Sequence, residues 1–243
     1  MKHITTSFYI PPEGFIRGEM IFPEGEAEHL SRVLRAREGD EVIVVDGVGH
    51  TYRVRLTKAD IKRTKGEVLA EIESAPEPNI INTLGIGTIH QEKLEFAWDA
   101  CVQLGISRLL PVRTEYGIER LRADGRNIER LRAVSIRAMK QSRRAVLPQV
   151  LPPVNLPALL KEGTFKHILF GDPDGLPSPP KDPPKLGEGV LLLVGPEGGF
   201  SSEEKRLIAD CGGIPISLGP RRLRTETAAI ALAIISLKWS EDI

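Results

Sequence analysis

The sequence predicts an α/β protein in two parts: a small β-barrel over residues 1–75, then a mostly parallel sheet with helices on both faces over 76–243. Three observations carry this expectation. Short β-prone runs separated by turn signals recur up to about Ser74, with one helical stretch among them. Ala75-Pro76-Glu77-Pro78 is a stiff linker between the two parts. Beyond it, strand and helix patterns alternate, as they do in parallel sheets built from βαβ units.

In the first part the strand candidates are Glu19–Phe22, Glu41–Val45, Thr51–Leu56 and Glu67–Ile72, with Asp46-Gly47 as one turn. A short helix over about Glu26–Arg35 interrupts the series. Arg32, Arg35, Arg37, Arg53, Arg55, Lys58, Lys62, Arg63 and Lys65 are either phosphate contacts or an ordinary solvated surface.

The second part opens with a strand over Ile80–Gly87. An amphipathic helix follows over Glu92–Leu104, with Leu94, Ala97, Trp98, Cys101 and Val102 on one face and Gly105 as terminator. Arg108–Val112 is the next strand. In the helix over Arg126–Arg144, Ile128, Leu131, Val134, Ala138 and Met139 share one face, and Arg126, Arg130, Arg137, Lys140 and Arg144 gather on the other. Glu129 is the one acid in that span, which leaves the charge uncompensated. The stripe is either a solvated face or an electrostatic footprint for RNA phosphates, and its lack of paired acids favours RNA. Pro148–Pro157 suits an extended crossing. Lys166–Phe170 suits a strand, followed by the loop Gly171-Asp172-Pro173-Asp174-Gly175.

The most informative stretch is Val190–Trp239, two strand-to-helix units in succession. Val190–Val194 is a buried strand, followed by Gly195-Pro196-Glu197-Gly198-Gly199. Ser201 and Glu204 have capping-box spacing for a helix that runs to Cys211 and ends at Gly212. Ile214–Leu218 is the second strand, Gly219–Arg224 a basic loop, and Thr225 or Thr227 the N-cap of an apolar helix. Each loop is either a tight βα turn or a ligand cradle at the carboxyl end of its strand. Neither has a Walker A lysine or the pattern GxGxxG, which disfavours a nucleoside triphosphate or a dinucleotide. Bare backbone suits a cofactor with amide-like edges and an apolar body.

Composition excludes several classes. The chain has 243 residues, enough for one large or two modest domains, and its 33 Lys+Arg balance 33 Asp+Glu. Any nucleic acid must therefore be met by local clusters. Cys101 and Cys211 look like small core residues in a reducing cytoplasm, without a disulfide framework. No signal-peptide block or transmembrane-length run is visible, so no membrane is expected. The histidines His3, His29, His50, His90 and His167 lack metal-ligand spacing, so no metal is expected either.

GPEGGFSSEE and SLGPRRLRTETA, preceded in order by HLSRVLR, EKLEFAWDACVQLGI and KQSRRAVLPQV, resemble the bacterial 16S ribosomal RNA uridine methyltransferases of the RsmE type, in the SPOUT superfamily. The resemblance covers nearly the whole chain. It implies a PUA-like RNA-binding β-barrel domain over 1–75 and a knotted parallel-sheet methyltransferase domain over 76–243, dimeric across the knot. It also implies methyl transfer from S-adenosylmethionine to N3 of a uridine in 16S rRNA of the small subunit. On these motifs the cofactor is lined by Val194, Gly195, Pro196, Glu197, Gly198 and Gly199, by Leu218, Gly219, Leu223 and Thr225, and by Gly171 as a third wall. RNA contacts fall to Arg32 and Arg35, to Gln141 and Arg144, and with them to the stripe Arg126, Arg130, Arg137 and Lys140.

The chemistry sets its own demands. A neutral imide N3 has no free lone pair, so its proton must leave, and negative charge then spreads over N3 and the flanking carbonyls. Arg224 is the candidate to stabilise that charge, or else it pairs with Glu226 and only shapes the loop. Glu226 is either the proton acceptor or a capping residue beside Thr225. The sequence departs from the family at Gln103 and Lys140, where Glu is usual, and at Tyr116, where Arg is expected. Three rival readings are another RNA nucleotide as target, a non-enzymatic RNA-binding or ribosome-assembly protein, and a phosphate-binding metabolic enzyme. The last leaves the basic helix unexplained.

Overall fold

The computed structural model describes residues 3–16, 18–118 and 125–242. Two compact units emerge from it, Met1–Glu77 with Ile136–Leu147, and Pro78–Ser135 with Pro148–Ile243.

The first unit contains β1 (His3–Tyr9), β2 (Phe15–Ile16), β3 (Glu19–Ile21), α1 (Glu24–Glu28), a π-helical turn (His29–Val33), β4 (Glu41–Val45), β5 (Thr51–Lys58) and β6 (Lys65–Ile72). They form a six-stranded sheet in the order β1-β4-β5-β6-β3-β2, antiparallel except for the β1–β4 pair. Its core joins Phe8, Ile10, Met20, Phe22, Leu30, Val44, Val54 and Leu56. β1 was not expected from the sequence. Its register slips between Ile4 and Ser7, which breaks the alternation that would have marked it. Gly66 lies against Val54, where a Cβ would come within 2.4 Å of Val54 Cγ1.

The second unit contains β7 (Ile81–Gly87), α2 (Gln91–Leu104), β8 (Arg108–Arg113) and the first part of α3 (Gly125–Ser142). It continues with β9 (Gln149–Val150), β10 (Val154–Asn155), α4 (Leu156–Lys161), β11 (His167–Leu176), β12 (Gly189–Val194), α5 (Ser202–Asp210), β13 (Gly213–Ile216) and α6 (Thr225–Trp239). Every pairing in its sheet is parallel, in the order β10-β8-β7-β12-β11-β13, with β9 also on β8. β12 is central and buried, as its unbroken Val-Leu run implies. α2 packs on α6, and α6 on β7 and β12. Gly105, with φ of 113°, ends α2 in the left-handed conformation. Among the described residues no helix is long and apolar enough to cross a membrane.

Several expectations need correction. The stretch Pro148–Pro157 is not simply extended, because β9 and β10 pair with β8 and α4 starts at Leu156, with Pro157 in its first turn where a missing N–H costs nothing. Gly171–Gly175 is not a loop but the second half of β11. Gly171 and Leu176 both pair with Ile216, so the intervening residues bulge. A Cβ on Gly175 would stand 2.6 Å from Ile216 N, so only glycine fits this crossing. The N-cap of α6 is Arg224 and not a threonine, and its side chain makes no capping bond. Cys101 is buried, which pushes its thiol up to about 12, whereas Cys211 is exposed rather than core. Both thiols are free.

Candidate active site

β12, β11 and β13 lie side by side and parallel, so their carboxyl ends share one edge of the sheet. Such an edge is where an open α/β sheet offers backbone to a ligand. The loop after β12, the loop after β13 and the start of the β11 bulge enclose a cleft of about 930 Å³. Gly171, Val194, Gly195, Pro196, Glu197, Gly198, Gly199, Leu218, Gly219, Leu223 and Thr225 all line it, and so does Arg224. Glu226 does not line it. Glu226 is half-buried, its Oε2 has no hydrogen-bond partner, and no ion pair joins it to Arg224 among the described residues.

The glycines have distinct geometric reasons. A Cβ on Gly195 would lie 2.7 Å from the carbonyl carbon of Gly199, so the loop closes on itself only without one. Gly199 has φ of 76° and donates its N–H to Pro196 O at 2.8 Å, completing the turn. Gly87, at the end of β7, leaves room for Pro196, whose Cδ would sit 2.5 Å from a Cβ there. Ser201 then caps α5 in a full capping box with Glu204. The second oxygen of Glu204 accepts from the N–H of Glu115 at 2.8 Å, tying the segment after β8 to this loop.

Charge is arranged around the mouth. Lys93, in the first turn of α2, forms an ion pair with Glu197. The hydrogen bond and charge of Lys93, reinforced by His90 and Arg224, hold the Glu197 carboxyl below the usual carboxylate range. Arg222 donates to the Glu197 carbonyl at 3.2 Å. Asp172, buried at the start of the bulge, pairs with Lys205 at 2.7 Å and accepts from the N–H of Asp174 at 2.9 Å. Arg221, Arg222 and Arg224 are exposed, so three guanidiniums stand along one loop. The sequence reading missed Lys93, Phe200, Lys205 and Ala228 as lining residues. Each comes from the start of a helix or from the residues just before one, whose position only the fold reveals.

A family model described as an RNA methyltransferase domain matches residues 76–236. A second, the RNA methyltransferase PUA domain, matches residues 22–73. The ribosomal RNA small subunit methyltransferase E of Synechocystis is 30% identical over 240 residues, covering 93% of this chain and 76% of the relative. The protein of that name from Aquifex aeolicus is 29% identical over 220 residues, with 90% and 94% covered. The chain belongs to the ribosomal RNA small subunit methyltransferase E family. Its first unit therefore includes a PUA domain and its second is an RNA methyltransferase domain. The Neisseria gonorrhoeae member, solved bound to S-adenosylmethionine, superposes with a TM-score of 0.85 at 27% identity, covering 97% of this chain and 98% of that one. A Legionella pneumophila protein described as a methyltransferase and solved with the same cofactor gives 0.87 at 26%, with 97% and 98% covered.

For a family that handles RNA, the cations along α3 matter, and the charge that the sequence left uncompensated has acidic partners at three positions. Arg130 pairs with Glu95 at 2.8 Å, Lys140 with Glu26 at 2.5 Å, and Arg144 with Glu77 at 2.5 Å. Arg144 is only 4% exposed, so it serves the structure around Glu77 and Val146. Arg32 is exposed but pairs with Glu28, and Arg35 is exposed with a left-handed φ of 52°. Arg126, Arg137 and Gln141 are exposed on α3. Of the eight predicted RNA contacts, Arg126 and Arg130 belong to the second unit, and Arg32, Arg35, Arg137, Lys140, Gln141 and Arg144 to the first.

Proposed function

We propose that this chain moves the methyl group of S-adenosylmethionine onto N3 of a uridine in the 16S rRNA of the small ribosomal subunit, as a cytoplasmic homodimer. The observation that carries the reading is a cleft of bare backbone at three parallel strand ends with Arg224 on its wall. The lining fits the cofactor: Gly199 and Gly219 have positive φ and open space where a side chain would stand, so room and exposed peptide groups are built in together. When bound, S-adenosylmethionine supplies a methyl group on a positively charged sulfur. Peptide groups of 194–199 and 218–223 would hold its polar edges, and Leu218 and Leu223 its apolar body. Arg224 has no pairing with Glu226 to disrupt, so its guanidinium is available to the charge that develops on the uracil once N3 has lost its proton. Supporting a dimer, α6 is apolar through its middle, with Ile230, Ile234 and Ile235 only half-buried in this chain.

The test is calorimetric titration with S-adenosylmethionine, with ATP and NAD as controls, followed by methylation of small subunits that lack the mark and mapping of the modified nucleotide. Selective saturable binding and a methyl group on uridine N3 are expected. A mark on another nucleotide would overturn the target, and failure of folded protein with RNA present to bind the cofactor would overturn the reading.

A further inference from the structure

We propose that Tyr116 is the platform on which the target base stacks beside the cleft, a positioning residue for the reaction above and dependent on that reading. Aromatic side chains are few here: seven Phe, three Tyr and two Trp in 243 residues. Among the described residues only two aromatics, Phe96 at 61% and Tyr116 at 52%, stand among the markedly exposed large apolar side chains. Neither ring lines the cleft itself, but Tyr116 stands against its wall: a Cβ on Gly198 would lie 2.9 Å from Tyr116 Cβ and 3.2 and 3.3 Å from its Cγ and Cδ2. Gly198, a wall residue of the cleft, is thus bare where the tyrosine presses against it.

An exposed ring is useful as a platform only if it is held, and this one is. On one side of Tyr116, the N–H of Glu115 donates to Glu204 Oε1 at 2.8 Å. On the other, Gly117 N–H donates to Thr114 O at 3.1 Å and Ile118 N–H to Thr88 O at 2.8 Å. A Cβ on Gly117 would lie 2.4 Å from Thr88 Oγ1, so the chain hugs β7's end at this point. The anchors come from α5's capping glutamate and from the residue after β7, both fixed by the sheet. An enzyme acting on a ring nitrogen of a base must hold that base out of its stack. A fixed aromatic face offers the required partner for a planar pyrimidine without demanding a particular hydrogen-bond pattern.

The experiment compares Tyr116→Ala, Tyr116→Leu, Tyr116→Phe and Tyr116→Trp in the full chain. The substrate is small subunits lacking the methyl mark, and cofactor affinity is measured separately by calorimetry. Tyr116→Ala and Tyr116→Leu should raise KM for the RNA substrate by roughly ten- to a hundredfold, while Tyr116→Phe and Tyr116→Trp stay within about threefold of the parent. Cofactor Kd should be unchanged in all four. Leu retains apolar bulk against Gly198 without a flat ring, so it separates stacking from packing. An unchanged KM in Tyr116→Ala or Tyr116→Leu would overturn the proposal. So would a Tyr116→Phe defect as deep as Tyr116→Ala, which would assign the role to the hydroxyl. Parallel loss of cofactor affinity would mean that the ring props the glycine loop instead. If the parent binds S-adenosylmethionine yet methylates no small-subunit RNA, the functional reading fails first and the platform with it.

Discussion

Lys93 and Glu197, 104 positions apart, are ion-paired at the mouth of the cleft, and Arg224 adds to the field that keeps Glu197 ionised. Both partners are substantially exposed, so the pair contributes little to stability. Its use is geometric: with Lys93 in place, Glu197 is already matched. In Lys93→Ala the carboxylate is left facing Arg224, and we expect turnover to fall while the melting temperature hardly moves. A variant with full turnover would show that Arg224 is placed independently of this pair.

Arg224→Ala removes the guanidinium on which the proposed charge stabilisation rests. Methyl transfer should drop by about two to three orders of magnitude, as for loss of one preorganised donor. Cofactor affinity, measured by calorimetry, should change little. Arg224→Lys should recover only part of the loss, since a point charge cannot reproduce the planar fork.

The two glycines at the ends of the loop should respond differently. In Gly195→Ala the new methyl meets the backbone of Gly199, which cannot step aside, and cofactor binding should be abolished. At Gly199 there is open space, and the obstacle is only the positive φ, a strain of about 1–3 kcal/mol. Gly199→Ala should therefore bind S-adenosylmethionine weakly rather than not at all. Equal losses in the two titrations would mean that conformation, not space, limits the loop.

Glu188 gives a pH signature away from the site. It accepts from Lys166, from the Lys185 N–H at 3.0 Å and from His167, which draws its carboxyl down from 4.5 to about 2. A depressed carboxylate stabilises the fold fully above its unfolded value and loses that contribution as pH falls through the folded one. Glu188→Gln should be less stable than the parent at neutral pH. In urea melts the gap should narrow from pH 4.5 downward and close near pH 2. A constant gap would assign the loss to packing around His167 and Trp239.

Local signals in the chain were legible, and distant ones were not. The capping box at Ser201, the glycine stop at Gly105 and the buried run of β12 each depend on neighbours within a few positions, and each forms as expected. The glycine loops were legible as unusual backbone, and two of them meet because their strands flank β11. The partners of α3 were not legible. Glu95, Glu77 and Glu26 lie 35, 67 and 114 positions away, so a helical wheel saw uncompensated charge where ion pairs exist. β11 hid its second half behind Gly171-Asp172-Pro173, which favour turns in isolation but here form a bulge against Ile216.

β13 is four residues long and has a single neighbour, β11, yet it delivers the basic loop and the start of α6. A ligand gripping the loops of β12 and β13 together would straddle β11 and act as a clasp on the open border of the sheet. Filling the cleft and fastening the chain from β13 through α6 would then become one event, so ligand binding should stabilise this end of the fold.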